Sequence, residues 1–259
     1  MKIAIYGDSY ADNHRDLHDS SNLDKQESKM FKKAFNKLGY TDLNTFLSNL
    51  TLKYKCWVDL LSETYNVTNY ARGGTDCYFS YRSFLETHEQ YDKIIFLKTF
   101  PGRLSLYNKH WHHYYNVSSI IADDKMSSVV RDYFIYVQPE DNFRTELFDN
   151  LMIEDVLRRR PDTINIDIAF TSKTNSIPLY DIYKTESKFW NIDYEEINYL
   201  DARQCHMSYK NNVMIYKKMC NSIENSTPFL LSHTDILTPG NKEDYIFNSI
   251  NDFINFVMK

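Results

Sequence analysis

The chain has 259 residues with a formal net charge of -5, and 42% of its residues are apolar and 25% charged. This is the size and composition of one globular domain, and the weak negative charge excludes a general attraction to nucleic acid or to anionic membranes. The amino-terminal residues lack a secretion signal, no stretch approaches the roughly 18 apolar residues of a membrane span, and the four cysteines lack zinc-type spacing, so we expect a reduced, cytoplasmic protein without a metal or cofactor.

The first hundred residues alternate between predicted strands and helices. Residues 2–6 alternate, are β-branched and stop at Gly7, which predicts a buried strand that ends in a turn. The same periodicities predict, in chain order, a helix over 25–38, an amphipathic helix over 54–64, a strand over 65–70, a helix over 77–88 and a strand over 92–99. Strands that alternate with helices indicate parallel pairing in one sheet.

The remainder of the chain is less regular. Residues 104–130 are polar and aromatic, which predicts a loop with short helices. Further predicted elements are a helix over 130–160 broken at Pro139, a strand over 163–170, a helix over 211–221 and a C-terminal helix after Asn241. We expect one domain, with an insertion at about 104–160.

Three features lie where the ends of the predicted strands should converge. Ser9 follows the first strand, Gly73 and Gly74 follow the second, and His206 precedes a late helix. A serine needs a base within hydrogen-bond reach to act as a nucleophile, and histidine is the usual base. Backbone N–H groups at glycines can hold the oxyanion that forms after attack. Together these residues indicate acyl-transfer chemistry.

The three blocks resemble those of the SGNH (GDSL-type) hydrolases. Gly-Asp-Ser-Tyr at 7–10 is similar to the first block, Asn69 followed five residues later by Gly74 to the second, and His206 ahead of a helix to the last. The resemblance implies Ser9 as nucleophile, His206 as base, and the N–H groups of Ser9 and Gly74 as oxyanion donors. It also implies a three-layer α/β/α, flavodoxin-like fold with about five parallel strands.

Two positions depart from the family pattern. Phe100 stands where the family has the oxyanion Asn, and Arg203 stands where it has the Asp that orients the histidine. Asp201, five residues before His206, is the nearest acid, so either Asp201 completes a triad or the site is a Ser-His dyad. Substrate contacts are predicted for three residues near the strand ends, namely Asp8, Thr99 and Arg103. Asp8 also suits a role in holding the turn.

The expected function is hydrolysis of a small acyl ester, with an O-acetylated carbohydrate favoured over a long-chain lipid. An acyltransferase would use the same residues, and a non-catalytic binding protein on the same fold is the alternative from another class. Two groups of histidines lack a complete set of metal ligands: His14 with His18, and the histidines at 110, 112 and 113. We interpret both as loop residues.

Overall fold

The computed structural model describes residues 1–13, 55–73, 75–99, 105–108, 113–116, 138–169, 176–192, 200–201, 203, 205–247 and 252, with the backbone alone at 105–108, 113–116, 138–145 and 200–201. The predicted helix over 25–38 and the residues His14, His18, His110 and His112 lie outside these ranges. Within them, no helix combines the length and apolar character that crossing a membrane requires.

A four-stranded parallel sheet forms the centre of the α/β fold. Its strands are β1 (Lys2–Tyr6), β2 (Asn66–Asn69), β3 (Lys93–Lys98) and β6 (Ile164–Asp167), in the order β2-β1-β3-β6. Ile3 of β1 pairs with Val67 and Lys93 on its two sides, and Ile95 of β3 pairs with Ile164. The predicted strands over 2–6, 65–70, 92–99 and 163–170 are confirmed, and their carboxyl ends share one edge, where a parallel sheet places its functional site.

Helices cover both faces of this sheet. Three of them, α1 (Trp57–Thr64), α4 (Leu179–Phe189) and α5 (Tyr209–Asn225), pack on the face that carries Ile3, Ile5 and Leu97. Two more of the described helices, α2 (Cys77–Thr87) and α3 (Gln138–Arg159), pack on the face that carries Ala4, Tyr6 and Phe96. Successive strand residues point to opposite faces, so the alternation within β1 supplies both cores. The helices predicted over 54–64, 77–88 and 211–221 are confirmed.

The segment between β3 and β6 differs from its prediction. The prediction for residues 104–130 is a loop with short helices, but the described parts of this segment form an antiparallel pair, β4 (Ser105–Asn108) with β5 (His113–Asn116). Tyrosine-rich alternation favours strands, and pairing with a neighbour stabilises them. The predicted break at Pro139 is instead the start of α3, because proline is tolerated in the first turn of a helix. Ile153 and Val156 of α3 belong to the core.

The C-terminal helix predicted from Asn241 is wrong over residues 241–247, whereas Asp252, the described residue that follows them, is helical. Lys242–Asp244 form a short 3-10 turn, and β8 (Ile246–Phe247) pairs antiparallel with β7 (Leu200–Asp201). Tyr245 and Ile246 pack with Trp190 rather than along one helical face. Non-local pairing therefore overrides the helical spacing of these apolar residues.

A buried carboxyl lies between α3 and the sheet. Asp149 is 5% exposed, and burial, assisted by the nearby Asp76 and Glu146, raises its pKa to about 7 although Lys98 opposes the shift. The folded protein thus keeps this proton up to about pH 7, whereas an unfolded chain releases it near pH 4. Stability should therefore fall as the pH rises between these values and stay low above them.

Asp149→Asn is expected to abolish that fall and to raise the free energy of unfolding at pH 8 by about 1–3 kcal/mol. Urea unfolding at pH 5 and pH 8 measures the change. Asp155→Asn is the matched control, because the pKa of Asp155 is shifted in the opposite direction and this substitution should lower the free energy of unfolding. Burial alone would raise the pKa of Asp155, but hydrogen bonds from Arg159, Tyr81 and Arg158 lower it to about 2. Equal stability of the wild type at the two pH values, with no gain in Asp149→Asn, contradicts the prediction.

Candidate active site

The turn after β1 presents Ser9 at the carboxyl edge of the sheet. The carbonyl oxygen of Asp8 accepts hydrogen bonds from the N–H groups of Ala11 and Asp12, both at 2.9 Å, which closes a single helical turn. The Asp8 carboxylate caps it by accepting from the N–H of Tyr10 at 3.0 Å. Asp8 rather than Ser9 is thus the capping residue, and Ser9, half-buried, occupies the first position of the turn.

Asp8 and Thr99 hold this turn against the end of β3. The Thr99 hydroxyl donates to Asp8 Oδ2 at 2.5 Å, and both residues are buried. A Cβ atom on Gly7 would lie 2.9 Å from Cβ of Leu97, so only glycine allows β1 to leave the sheet this close to β3. The structure places Asp8 and Thr99 as supports of the turn; their contact with a substrate stays a prediction. Arg103 lies outside the described residues.

His206 faces Ser9 from a loop that enters α5. Its Nε2 lies 2.8 Å from Ser9 Oγ, although the two residues are 197 positions apart. The imidazole lies tilted by 38° against the Tyr10 ring, with the centroids 4.7 Å apart, and nearly perpendicular to the Tyr183 ring, with the centroids 6.0 Å apart. Burial raises the pKa of Tyr10 far above its usual range, so this neighbour stays neutral at any working pH. The sequence-predicted serine and histidine are therefore brought together in hydrogen-bond contact.

The backbone at His206 is unusual. Cys205 and His206 have φ values of 48° and 59°, in the left-handed region that residues other than glycine rarely adopt. Such a conformation costs on the order of 1–3 kcal/mol and persists only where the surroundings fix it. Two consecutive residues of this kind beside Ser9 indicate that the position of the imidazole is imposed by tertiary contacts.

Trp57 at the start of α1 connects the two halves of the site. Its indole N–H donates to the Tyr10 carbonyl at 2.8 Å, and its backbone N–H donates to Asn212 Oδ1 at 3.0 Å. The amide of Asn212 in turn donates to the Met207 carbonyl at 2.9 Å. Three buried hydrogen bonds thus run from the residue after Ser9 to the residue after His206.

The turn after β2 lies against the Ser9 turn. The Asn69 amide donates to the Ala11 carbonyl and to Asn13 Oδ1, each at 2.8 Å, and the Gly73 N–H donates to Asp12 Oδ2 at 2.5 Å. A Cβ atom on Gly73 would lie 3.6 Å from Cβ of Ser9. Asn69 therefore ties the two loops together. Gly74, the predicted oxyanion donor, lies outside the described residues, and its role stays a prediction.

The positions that depart from the family pattern have separate outcomes. Phe100 lies outside the described residues. Asp201 lies in β7, where its backbone pairs with Ile246, and its side chain is outside the described part of the chain. Arg203 is fully buried and forms an ion pair with Glu186 of α4 at 3.1 Å.

Sequence reasoning missed Glu186 and Tyr183, both on α4. Pro178 before Leu179 and Ile182, with Asp181 in the first turn, was the available signal for a helix start. The next position on the same face is Glu186, and an acid there breaks the apolar pattern.

Among the residues that the structure describes, no group of three or more His, Cys, Asp or Glu side chains is arranged to hold a metal ion. The four cysteines, all described, are free thiols. No protein-family model, curated protein or solved structure gives a significant match to this chain. The interpretation of the site therefore rests on its geometry and on the three sequence blocks.

Proposed function

We propose that the chain is a serine esterase that hydrolyses small acyl esters, with Ser9 as nucleophile and His206 as general base. The 2.8 Å contact between Ser9 Oγ and His206 Nε2 carries the proposal. A serine hydroxyl is a weak nucleophile at neutral pH, and a histidine at this distance is what activates it. The alternative structural role for Ser9, capping of the turn, is taken by Asp8.

The proposed reaction has two steps. Nε2 of His206 accepts the proton of Ser9 while Oγ attacks the acyl carbonyl, and the same imidazole then donates that proton to the leaving alcohol. Water then attacks the acyl carbonyl while Nε2 of His206 takes its proton, and the imidazolium returns that proton to Ser9 Oγ as the bond from Oγ to the acyl carbon breaks and the carboxylic acid leaves. The proposed oxyanion donors are the N–H groups of Ser9 and Gly74. Ser9 occupies the first position of a helical turn, where an N–H group has no partner within the turn.

The order of the parallel strands supports the finer fold proposal. The order β2-β1-β3-β6 corresponds to the first four positions of the flavodoxin-like order, which is the order expected for an SGNH hydrolase. In that fold the nucleophile follows β1, as Ser9 does. The Asn donor of the family is replaced by Phe100, and loss of one oxyanion donor lowers rates by about 10²–10³-fold elsewhere. The proposed enzyme is correspondingly slow towards unactivated esters.

Small, polar esters are the proposed substrates, with O-acetylated carbohydrate as the first choice. The sequence contains no broad apolar segment suited to a long acyl chain, and the partly exposed ring of Tyr183 stands beside the imidazole. We expect faster turnover of p-nitrophenyl acetate than of its octanoate, and release of acetate from acetylated oligosaccharides.

Covalent labelling tests the proposal most directly. A fluorophosphonate probe is expected to add once per chain, and peptide mass spectrometry should locate the adduct on Ser9. Ser9→Ala should remove both the adduct and the hydrolysis of p-nitrophenyl acetate. Ser62→Ala, which alters a serine that donates to the Val58 carbonyl within α1, serves as the matched control and should label like the wild type. A wild type that is not labelled, or is labelled elsewhere, contradicts the proposal and favours a binding protein.

A further inference from the structure

The position at which a triad acid would precede the histidine carries a base, Arg203, and its buried partner is Glu186. The side chains of both residues are 0% exposed, and Nη1 of Arg203 lies 3.1 Å from Glu186 Oε2. The guanidinium also lies over the rings of Tyr183 and Trp190, at 4.5 and 5.4 Å from their centroids. Burying two charges is costly unless both are paired and hydrogen-bonded, so the other donors to the Glu186 carboxylate matter.

The Glu186 carboxylate contacts the His206 loop on both sides of the histidine. It accepts from Arg203, three residues before His206, and from the N–H of Ser208, two residues after it, at 3.0 Å. The Ser208 hydroxyl donates to Oε1 at 2.6 Å, and the Asn211 amide donates to the same oxygen at 2.5 Å. We call Glu186, Arg203, Ser208 and Asn211 the Glu186 cluster.

The Glu186 cluster encloses the two residues with left-handed backbone. Cys205 and His206 lie between Arg203 and Ser208, and their φ values of 48° and 59° need a framework that resists relaxation. Tyr183 lies one turn before Glu186 on α4, and its ring is nearly perpendicular to the imidazole at a centroid distance of 6.0 Å. One helix face therefore supplies both the anchor of the loop and a wall for the ring.

We infer that Glu186 is a positioning residue for His206: with Arg203 as its counter-ion, it fixes the loop backbone that aims Nε2 at Ser9. In a serine triad a carboxylate orients the histidine through its ring nitrogen. In this chain a buried carboxylate instead holds the Arg203 side chain before the histidine and the Ser208 main-chain N–H after it. The inference deepens the proposed function and rests on it for its kinetic consequences.

Glu186→Gln is the direct test, and Glu186→Gln with Arg203→Met is the second variant, because it leaves no unpaired buried charge. Both are expected to lower the fluorophosphonate labelling rate of folded protein by about 100-fold, as misplacement of a catalytic group by about 1 Å does. The KM for p-nitrophenyl acetate should change by less than about threefold while kcat falls, since substrate binding does not involve the cluster.

Arg160→Met controls for general destabilisation. Arg160 donates to the carbonyls of His88, Tyr91 and Asp92 near the start of β3, at the opposite edge of the sheet. This variant should lose stability and keep the labelling rate of its folded fraction. If the charge-free double variant also keeps that rate within twofold of the wild type, Glu186 is not a positioning residue.

A spectroscopic readout separates this inference from the proposed function. In protein carrying ¹⁵N-histidine, the Nε2 resonance of His206, assigned from the His206→Ala spectrum, should shift or broaden in both Glu186 variants and stay unchanged in Arg160→Met. Absence of wild-type labelling contradicts the esterase alone, because the resonance still reports the position of the ring. An unchanged His206 resonance in the double variant contradicts the positioning role even if the wild type is an active esterase.

Discussion

His206→Ala is expected to lower the rate of Ser9 acylation by about 10³-fold, the contribution typical of a positioned general base. The variant removes the group that lies 2.8 Å from Ser9 Oγ, and Tyr10 stays protonated because burial raises its pKa, so it offers no substitute base. Stopped-flow acylation by p-nitrophenyl acetate at pH 7, together with the fluorophosphonate labelling rate, measures the loss.

The matched control for this prediction is His233→Ala. His233 lies on a short 3-10 turn with its side chain 70% exposed, and its Nε2 is 4.0 Å from Asp181. Its removal should leave the acylation rate unchanged. If His206→Ala keeps more than about a third of the wild-type rate, the histidine is a neighbour of Ser9 rather than its base.

Of the substitutions considered, Arg203→Met is expected to lower the free energy of unfolding most, by about 3–5 kcal/mol, because it leaves the Glu186 carboxylate buried without its counter-ion. Adding Glu186→Gln should recover much of that loss, since neither charge then remains. Urea unfolding of the two single variants and the double variant completes a double-mutant cycle, which isolates the coupling between the two side chains.

The surface pair Arg82 and Glu86 provides the comparison. Its side chains are 48% and 66% exposed, and their 3.3 Å contact spans one turn of α2. Arg82→Met should cost less than about 0.5 kcal/mol, because solvent screens such pairs. Similar costs for Arg203→Met and Arg82→Met would show that the buried pair contributes no more than a surface one.

The sheet and the Ser-His pair could be predicted from sequence because their signals are local. Short apolar runs mark β1 and β3. A serine or histidine just beyond a strand or before a helix is then placed by topology. The contact between Ser9 and His206 then follows from the convergence of strand ends. Asn69 is the last residue of β2 and Gly73 follows that strand, and both contact the Ser9 turn.

The framework around His206 could not be predicted in the same way. Glu186 occupies a core position where periodicity requires an apolar residue, which hides α4 from a search for apolar faces, and its partners at 203 and 208 are known only from the tertiary structure. The helix prediction was wrong at 246–247 for a related reason, because these residues pair with residues 200–201, which lie far away in the sequence. Local patterns encode elements, whereas buried charge networks and short edge pairings depend on what lies opposite.

The separation of 197 positions between Ser9 and His206 has a consequence for the biosynthesis of the chain. Three of the four parallel strands and helices α1 to α4 lie between the two residues in sequence. A nascent chain can complete the Ser9 turn early, but it holds no base until synthesis has passed α4 and the loop before α5 has docked. Loop closure over such a distance comes late in folding. Under the proposed function, acylation thus requires that synthesis has passed His206, and shorter nascent chains carry an unreactive serine.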